Sequence, residues 1–228
     1  MEEFIRTEII LGKTAMEKLK KSRVLVFGVG GVGSYVCEAI ARAGVGAITV
    51  VDNDTVSISN INRQLIALRS TVGRNKVDVV AERIKDINPL CDVTPLKLFY
   101  LPETAGEIDF SEFDFIVDAI DTVTAKLDII CRAKALGIPI ISSMGTGNKL
   151  NPELLTITDI YKTSVCPLAR VMRRELKARG IDELQVLYSQ EKPITPDAEE
   201  KRIPGSVSFV PSVAGLIIGG YVIRKITG

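Results

Sequence analysis

The sequence predicts an α/β fold built on a doubly wound sheet, and two patterns support this prediction. From residue 23 to residue 143, apolar runs of strand length alternate with amphipathic segments of helix length, as in right-handed βαβ units with a parallel sheet. After Gly147 the strand candidates show more polar alternation, which is typical of antiparallel strands. We therefore expect a Rossmann-like sheet with a parallel N-terminal half, continued by antiparallel strands in the C-terminal half.

Hydrophobic periodicity and turn residues predict the individual elements. The predicted parallel strands span residues 23–28, 47–52, 93–99, 113–119 and 139–143, and the predicted antiparallel strands span 154–160, 184–189 and 206–210. Apolar residues at helical spacing predict helices over 7–20, 34–42, 76–87, 125–136, 167–179 and 212–225. The segment 191–204 is charged and contains three prolines, so we predict a mobile loop there.

Composition excludes several functional classes. The 29 basic and 28 acidic residues give a net charge of +1, so any nucleic-acid surface must be a local patch. The chain has no histidine, which excludes histidine general bases, Ser-His-Asp triads and histidine-ligated metal sites. Its four cysteines form no CxxC pair, which argues against a structural zinc site. Lone cysteines of this kind fit a reducing compartment, so we expect a cytoplasmic protein.

We expect no contact with a membrane. The longest uncharged apolar stretch, residues 207–223, contains Pro211 and three glycines and is slightly short for a bilayer span. We predict that it forms a strand, a turn and a buried helix. Residues 1–11 contain three glutamates and an arginine, which is not typical of a signal peptide.

A glycine-rich turn follows the first predicted strand and opens a helix. In GVGGVGS, Gly28, Gly30 and Gly33 fit the GxGxxG pattern, in which the backbone approaches a phosphate at a helix N-terminus. Asp52 ends the next predicted strand, 19 residues after Gly33, at the position of an acid that binds ribose hydroxyls. The turn by itself also fits a nicotinamide-dependent oxidoreductase or a βα turn without a ligand.

The residues after Asp52 are dense in polar and charged groups, which is not typical of a dehydrogenase. Those that bear on the argument are Asp54, Asn60, Arg63, Gln64 and Lys76. A triphosphate requires cations for its β and γ phosphates and a carboxylate for Mg²⁺. Asp121 follows the fourth predicted strand, and α/β sheets bind ligands at the carboxyl ends of their strands. Each of the two cations has a simpler interpretation when it is considered alone. Arg63 is then a solvent-exposed charge in a loop, and Lys76 is an ordinary lysine at the start of a helix.

These motifs resemble those of the ubiquitin-activating-enzyme-like superfamily, the ThiF/MoeB/HesA group, over nearly the whole chain. The shared pattern is GVGGVGS, the run SNINRQ after the second strand, GRNK before the third helix, and DAID at residues 118–121. Further along, SSMGTG at 142–147, DIYKT at 159–163, CPLA at 166–169 and PGSV at 204–207 resemble the tRNA threonylcarbamoyladenosine dehydratase branch. The missing CxxC pairs agree, because sulfur-carrier activators of this superfamily usually carry a zinc site.

The resemblance implies a single adenylating domain over residues 1–228, with a nucleotide-binding half at 1–147 and a substrate or crossover half at 148–228. It implies ATP as the nucleotide, Mg²⁺ positioned by Asp121, and a homodimer in which Arg6 reaches the partner's site. The implied catalytic residues are Arg63, Lys76, Asp121 and Arg6. The residues implied in ATP binding are Gly28, Gly30, Gly31, Gly33, Asp52, Asp54, Asn60, Arg63, Gln64, Lys76 and Asp121. The alternative for Arg6 is an ordinary surface arginine.

The resemblance also implies a reaction. ATP adenylates the threonyl carboxylate of threonylcarbamoyladenosine in tRNA, and cyclisation follows with net loss of water. The alternative within the superfamily is an adenylating activator of a ubiquitin-like sulfur-carrier protein, which the missing CxxC pairs disfavour. The run at 60–64 opposes an oxidoreductase, and a non-catalytic scaffold is the alternative from another class. Cys166 lies in a crossover segment where some relatives use a cysteine, although the dehydratases need no such thiol.

A tRNA substrate requires a basic surface, and residues 162–179 supply a candidate. This window contains six basic residues and one acidic residue. Its helical part carries one basic stripe at spacings of three and four residues: Arg170, Arg173, Arg174 and Lys177. Together with Lys162, this stripe is predicted to contact the phosphate backbone of tRNA. A solvated basic helix face is the alternative interpretation.

Overall fold

The computed structural model describes residues 2–195 and 204–228 and centres on one sheet of seven strands. The strands are β1 (Arg23–Phe27), β2 (Ala47–Val51), β3 (Asp92–Leu96), β4 (Phe115–Asp118), β5 (Ile140–Ser143), β6 (Leu155–Asp159) and β7 (Gln185–Ser189). Their order across the sheet is β3-β2-β1-β4-β5-β7-β6. The first five strands are parallel to their neighbours in the order of nucleotide-binding doubly wound folds, which confirms the predicted fold class.

Seven α-helices surround the sheet in the described part of the chain. They are α1 (Ile5–Leu11), α2 (Lys13–Lys21), α3 (Gly33–Arg42), α4 (Lys76–Ile87), α5 (Val123–Ala135), α6 (Pro167–Ala178) and α7 (Phe209–Thr227). The helix predicted over 7–20 is two helices, because Gly12 has φ of +82° and breaks the helical path between α1 and α2. The other predicted helices agree with the structure to within about three residues at each end.

The C-terminal half departs from the prediction at two places. β7 pairs parallel with β5, although the pattern predicts an antiparallel strand, and β6 alone runs antiparallel, against β7. The strand predicted over 206–210 is wrong, because the Ser206 carbonyl accepts a hydrogen bond from the Asn62 side chain and α7 begins at Phe209. Pro211 is tolerated there because the first turn of a helix needs no amide donor.

The loop predicted over 191–204 is described only at its two ends, since residues 196–203 lie outside the described residues. Both ends are tied to Asn148. The Ile194 amide donates to the Asn148 carbonyl at 2.8 Å, and the Gly205 amide donates to Asn148 Oδ1 at 2.6 Å. Glu191 accepts hydrogen bonds from the amides of Leu150 and Asn151.

Apolar residues form a core on each face of the sheet. One core is built from α2, α3, α4 and α7, with Ile40, Ile84 and Ile218 fully or nearly fully buried. The other is built from α5 and α6, with Ile130 and Met172 fully buried. Cys37 and Cys91 are buried in these cores, and Cys131 is half-buried. Burial raises the pKa of the Cys37 thiol to about 12, so this group is an inert core residue.

Two helices, α3 and α7, pack very closely against each other. A Cβ atom on Gly215 would lie 2.4 Å from the Val32 carbonyl oxygen, and one on Gly219 would lie 2.5 Å from Ala39 Cβ. The small residues of α7 therefore allow a close packing inside the chain. Among the described residues, α7 is also the one helix that is long and apolar enough to cross a membrane, but helices of soluble cores pass the same test.

We predict that Gly215→Ala destabilises the fold by about 1–3 kcal/mol, because the added methyl group overpacks the contact with α3. Gly220→Ala is the matched control, since its Cβ would meet only the end of the Arg224 side chain, at 3.3 Å. The control should be neutral or gain up to about 1 kcal/mol from helix propensity. Urea unfolding of the two variants measures the difference, and equal stabilities would contradict the packing described for α7.

Candidate functional site

A cavity of about 730 Å³ lies at the carboxyl ends of the parallel strands. It opens beside β1 and β4, where the strand order reverses and where doubly wound sheets bind their ligands. Most residues expected to bind a nucleotide line it: Gly28, Gly30, Gly31, Asp52, Asp54, Asn60, Arg63, Gln64, Lys76 and Asp121. The tertiary structure thus brings together groups that are up to 93 residues apart in the chain, from Gly28 to Asp121.

The glycine turn has a shape that side chains would prevent. Gly28 has φ of +84°, and a Cβ atom there would lie 2.7 Å from the Ala119 carbonyl oxygen at the end of β4. A Cβ atom on Gly33 would lie 1.8 Å from the Gly28 carbonyl oxygen. Gly33 does not line the cavity; its absent side chain lets α3 start directly above β1. Gly30, Gly31 and Val32, which directly precede α3, line the cavity, so the N-terminal end of this helix is placed where it suits a phosphate.

Asp52 connects the glycine turn to the loop after β2. Its Oδ2 accepts a hydrogen bond from the Val29 amide at 2.7 Å, and its Oδ1 accepts one from the Asp54 amide at 2.8 Å. Each carboxylate oxygen has a second lone pair, so the group can still accept hydrogen bonds from ribose hydroxyls. Asp52 therefore holds the shape of the site and also lines it.

Two cations belong to the β2 side of the cavity. Lys76 is only 5% exposed, and its Nζ lies 2.6 Å from Asp54 Oδ2. Arg63 is half-buried, and its Nη1 donates to the Ser59 carbonyl at 3.1 Å and to Asn62 Oδ1 at 2.9 Å. Both side chains are held in place by neighbouring oxygens before any anion arrives, which suits them to bind phosphates.

Gln64 and Asn60 lie in the loop after β2, and both line the cavity. Gln64 is 7% exposed, and its Oε1 has no hydrogen-bond partner among residues 2–195 and 204–228. Burying a hydrogen-bond acceptor without a donor costs free energy. A ligand hydroxyl or amine that donates to this oxygen would remove that cost. Asn60 Oδ1 accepts the Ser57 amide at 3.0 Å, which shapes the turn that carries Arg63.

An ion pair lies beneath the site, and the motifs did not predict it. Lys126 is fully buried, and its Nζ lies 2.8 Å from Asp118 Oδ2, which also accepts a hydrogen bond from the Ser142 hydroxyl at 2.5 Å. The ammonium donates further to the carbonyls of Ser143 at 2.9 Å and Ile120 at 3.1 Å. These bonds tie β4, β5 and α5 together immediately before Asp121.

The sequence did contain a signal for Lys126. It stands three and four residues before Ile129 and Ile130, on the apolar face of a predicted helix, where a lysine needs a buried partner. Asp121 itself is exposed and lines the cavity. No group of three His, Cys, Asp or Glu side chains within the described ranges could hold a metal ion. A Mg²⁺ ion would therefore need phosphate oxygens as well as Asp121, which is its usual mode of binding.

The basic stripe on α6 is only partly free. Lys162, Arg170 and Lys177 are exposed, and Arg174 is exposed but pairs with Glu175 at 2.8 Å. Arg173 is half-buried and donates to the Thr163 carbonyl at 2.9 Å, so it holds the turn before α6. The opposite face packs into the core through Ala169, Met172 and Leu176. The N-terminal end of α6, at Pro167 and Leu168, lines the cavity.

Three further residues differ in their relation to the cavity. Arg6 is exposed on α1 and does not line the cavity of its own chain. Cys166, just before α6, is 3% exposed and lines the cavity. Lys149 lines it as well and is 3% exposed, and neither the motifs nor the periodicity singled it out.

A doubly wound sheet with a glycine turn and a cation-lined cavity at its switch point defines a nucleotide-binding α/β protein. The chain belongs to the ThiF family, whose model matches residues 4–228, which confirms the resemblance found in the sequence. It is 46% identical to the tRNA threonylcarbamoyladenosine dehydratase of Bacillus subtilis (strain 168), over 99% of this chain and 95% of that protein.

Solved structures agree with this membership. The fold is similar to that of the E. coli tRNA N6-threonylcarbamoyladenosine dehydratase in complex with AMP, with a TM-score of 0.92 and 32% identity over 99% of this chain and 94% of that chain. The same enzyme in complex with ATP matches with a TM-score of 0.91, over 99% of this chain and 93% of that chain.

We predict that Lys126→Met destabilises the protein by about 3–5 kcal/mol, because it leaves the Asp118 carboxylate buried without a counter-charge. The double variant Lys126→Met with Asp118→Asn should recover part of that loss, since the amide carries no charge. Urea denaturation of wild type, both single variants and the double variant measures the coupling between the two groups. Additive effects in this cycle would contradict a direct pairing.

Proposed function

We propose that this chain uses ATP to adenylate the threonyl carboxylate of threonylcarbamoyladenosine in tRNA and then cyclises it with net loss of water. The single observation that carries the proposal is the cavity in which the glycine turn, Arg63, Lys76 and Asp121 meet. Likeness to dehydratases over nearly their whole length, and to one solved with ATP, supports the same choice of nucleotide and substrate.

The site fits ATP on grounds of its own chemistry. The glycine turn and the N-terminal end of α3 suit the phosphates, and Asp52 suits the ribose. Arg63 and Lys76 supply positive charge for the pyrophosphate leaving group. The buried Gln64 Oε1, which has no partner among the described residues, supplies an acceptor for a ligand donor. Mg²⁺, when bound, neutralises phosphate charge, and Asp121 is the carboxylate that would hold it.

Adenylation makes the carboxylate reactive. A carboxylate oxygen attacks the α-phosphorus, a new P–O bond forms, and the bond to the β-phosphate oxygen breaks so that pyrophosphate leaves with the electron pair. An internal nitrogen of the substrate then attacks the activated carbonyl carbon, loses a proton, and AMP leaves. The sum consumes ATP and removes the elements of water from the modified base.

These steps need positioning and charge neutralisation more than a general base, which explains how a chain without histidine can perform them. Arg63 and Lys76 stabilise charge as it moves onto the leaving pyrophosphate. Cys166 lines the cavity, but no step above requires its thiol.

The remaining assignments belong to the same proposal. The chain acts as one adenylating domain in the cytoplasm, without a membrane. It forms a homodimer in which Arg6 of one protomer reaches the site of the other. Two exposed isoleucines of α1, Ile9 at 78% and Ile10 at 83% exposure, support this arrangement, because a partner copy would cover them.

ATP–pyrophosphate exchange tests the proposed function directly. We expect exchange that depends on threonylcarbamoyl-tRNA and is absent with unmodified tRNA, because only the modified base carries the carboxylate. Asp121→Asn should lower the exchange rate about 10²–10³-fold, the usual cost of losing one charge-stabilising group at a reacting phosphate. Exchange driven only by the C-terminus of a ubiquitin-like carrier would overturn the proposal in favour of a sulfur-carrier activator.

We predict that tRNA binding depends on salt through the exposed cations of α6. Replacing Arg170 and Lys177 by glutamine should reduce the slope of log K against log salt concentration by about 0.7–0.9 for each phosphate that is no longer neutralised. Lys20→Gln with Lys97→Gln is the matched control, because both lysines are exposed and lie outside α6. Equal slopes for the two double variants would place the tRNA surface elsewhere.

A further inference from the structure

Lys149 lies in the segment after β5, away from the other cations of the cavity. Arg63 and Lys76 follow β2, and the sheet order places β1 and β4 between β2 and β5. Three strand spacings amount to about 14 Å. The site therefore has positive charge on two sides. The phosphates of the nucleotide explain the cations on the β2 side, but they do not explain Lys149 on the β5 side.

Among residues 2–195 and 204–228, no carboxylate oxygen lies within 4.0 Å of the Lys149 ammonium. Its Nζ donates to the Glu191 carbonyl at 2.7 Å, and this is its one hydrogen bond within the described part of the chain. The Glu191 carboxylate accepts the amides of Leu150, at 3.0 and 3.1 Å, and of Asn151, at 2.9 Å. An ammonium has three N–H donors, and the described residues occupy one of them, so the group can still donate to a ligand in the cavity.

The other buried lysines differ from Lys149 in this respect. The chain described has three lysines that are 5% exposed or less: Lys76, Lys126 and Lys149. Lys76 pairs with Asp54 and Lys126 pairs with Asp118, so each has a carboxylate within 2.8 Å. Burial of an ammonium that donates to a neutral carbonyl and has no carboxylate in hydrogen-bond contact among the described residues is costly, and an anion that binds to it offsets that cost.

We propose that Lys149 is a substrate-binding residue that receives the carboxylate to be adenylated. The inference rests on the proposed function, because that reaction brings a carboxylate to the α-phosphate. Two anions must approach each other there, and a cation beside the carboxylate reduces their repulsion and orients one oxygen toward phosphorus. Arg63 and Lys76 then neutralise the nucleotide, and Lys149 neutralises the acceptor.

The test compares Lys149→Met and Lys149→Arg in the full chain by ATP–pyrophosphate exchange. For Lys149→Met we expect KM for threonylcarbamoyl-tRNA to rise about tenfold or more, as for loss of a charged hydrogen bond. KM for ATP should stay within about twofold, because the nucleotide groups are untouched. Lys149→Arg keeps the charge and should recover much of the loss. A KM for the modified tRNA that is unchanged in Lys149→Met overturns the proposal.

Glu191→Ala separates this role from a structural one. It removes the carboxylate that holds the Leu150 and Asn151 amides but leaves the Lys149 charge in place. If Lys149 only braces this segment, Glu191→Ala and Lys149→Met should raise both KM values alike, and that outcome overturns the proposal. If KM for the modified tRNA rises in Lys149→Met but not in Glu191→Ala, the result supports a substrate-binding role for Lys149. Melting temperatures identify any variant that has lost its fold, in which case Lys149→Arg decides.

The pH dependence adds a second readout. Burial lowers the pKa of Lys149, so its charge is lost at a lower pH than that of an exposed lysine. In the wild type, KM for the modified tRNA should rise as the pH passes upward through this pKa. In Lys149→Arg it should stay flat, because arginine remains protonated. In the part of the chain that the structure describes, the titratable groups that act on Lys149 are Glu191 and the Cys166 thiol, so Cys166→Ser must keep the wild-type profile.

The two proposals fail in different ways. Wild-type exchange with a ubiquitin-like carrier protein in place of modified tRNA overturns the proposed function. A raised KM of Lys149→Met for that carrier still supports the role of Lys149, because the carrier also presents a carboxylate. If the wild type shows no ATP–pyrophosphate exchange with either the modified tRNA or the carrier protein, both proposals are overturned.

Discussion

The site depends on the contact between the start of α3 and the end of β1. The Gly33 Cα approaches the Gly28 carbonyl so closely that a Cβ atom would lie 1.8 Å from it, and Gly28 in turn lies against the Ala119 carbonyl at the end of β4. This contact fixes the distance between two strands and one helix. The N-terminal end of α3, the Asp52 carboxylate and the segment before Asp121 take their positions from it. Any larger residue at these two glycines would push α3 away from the sheet and separate the groups that line the cavity.

Buried charge completes the frame that the glycines begin. Lys126 links Asp118, Ser142 and the carbonyls of Ile120 and Ser143, so the ends of β4 and β5 share one ammonium. Removal of such a group is costly because the remaining carboxylate has no water around it. Lys76 performs a similar task between α4 and the loop after β2, through Asp54. The two pairs connect the elements around the cavity, and Arg63, Asp121 and Lys149 line it.

Local features of the chain could be predicted from the sequence, whereas features that depend on distant segments could not. The glycine turn, the acid at the end of β2 and Asp121 were predicted, because each sits at a fixed offset from a strand or helix boundary. Lys149 was missed because it lies in an irregular segment with no motif and no period. The strand predicted over 206–210 was wrong because a short apolar run has no distinctive period, and the Asn62 side chain, far away in sequence, binds its first carbonyl. Likewise Arg173 fitted the basic stripe by spacing, but its bond to Thr163 depends on a turn that spacing does not encode.

The sequence by itself determined the alternation of strands and helices, the glycine turn and the set of residues suited to a polyphosphate. These follow from backbone sterics and from periodicity, which act over a few residues at a time. Only the tertiary structure decided that β7 runs parallel to β5, that α7 packs tightly on α3, and that Lys126 and Lys149 are buried with different partners. Burial and pairing of charges depend on segments that meet in space from distant parts of the chain, and no local pattern records which of them will meet.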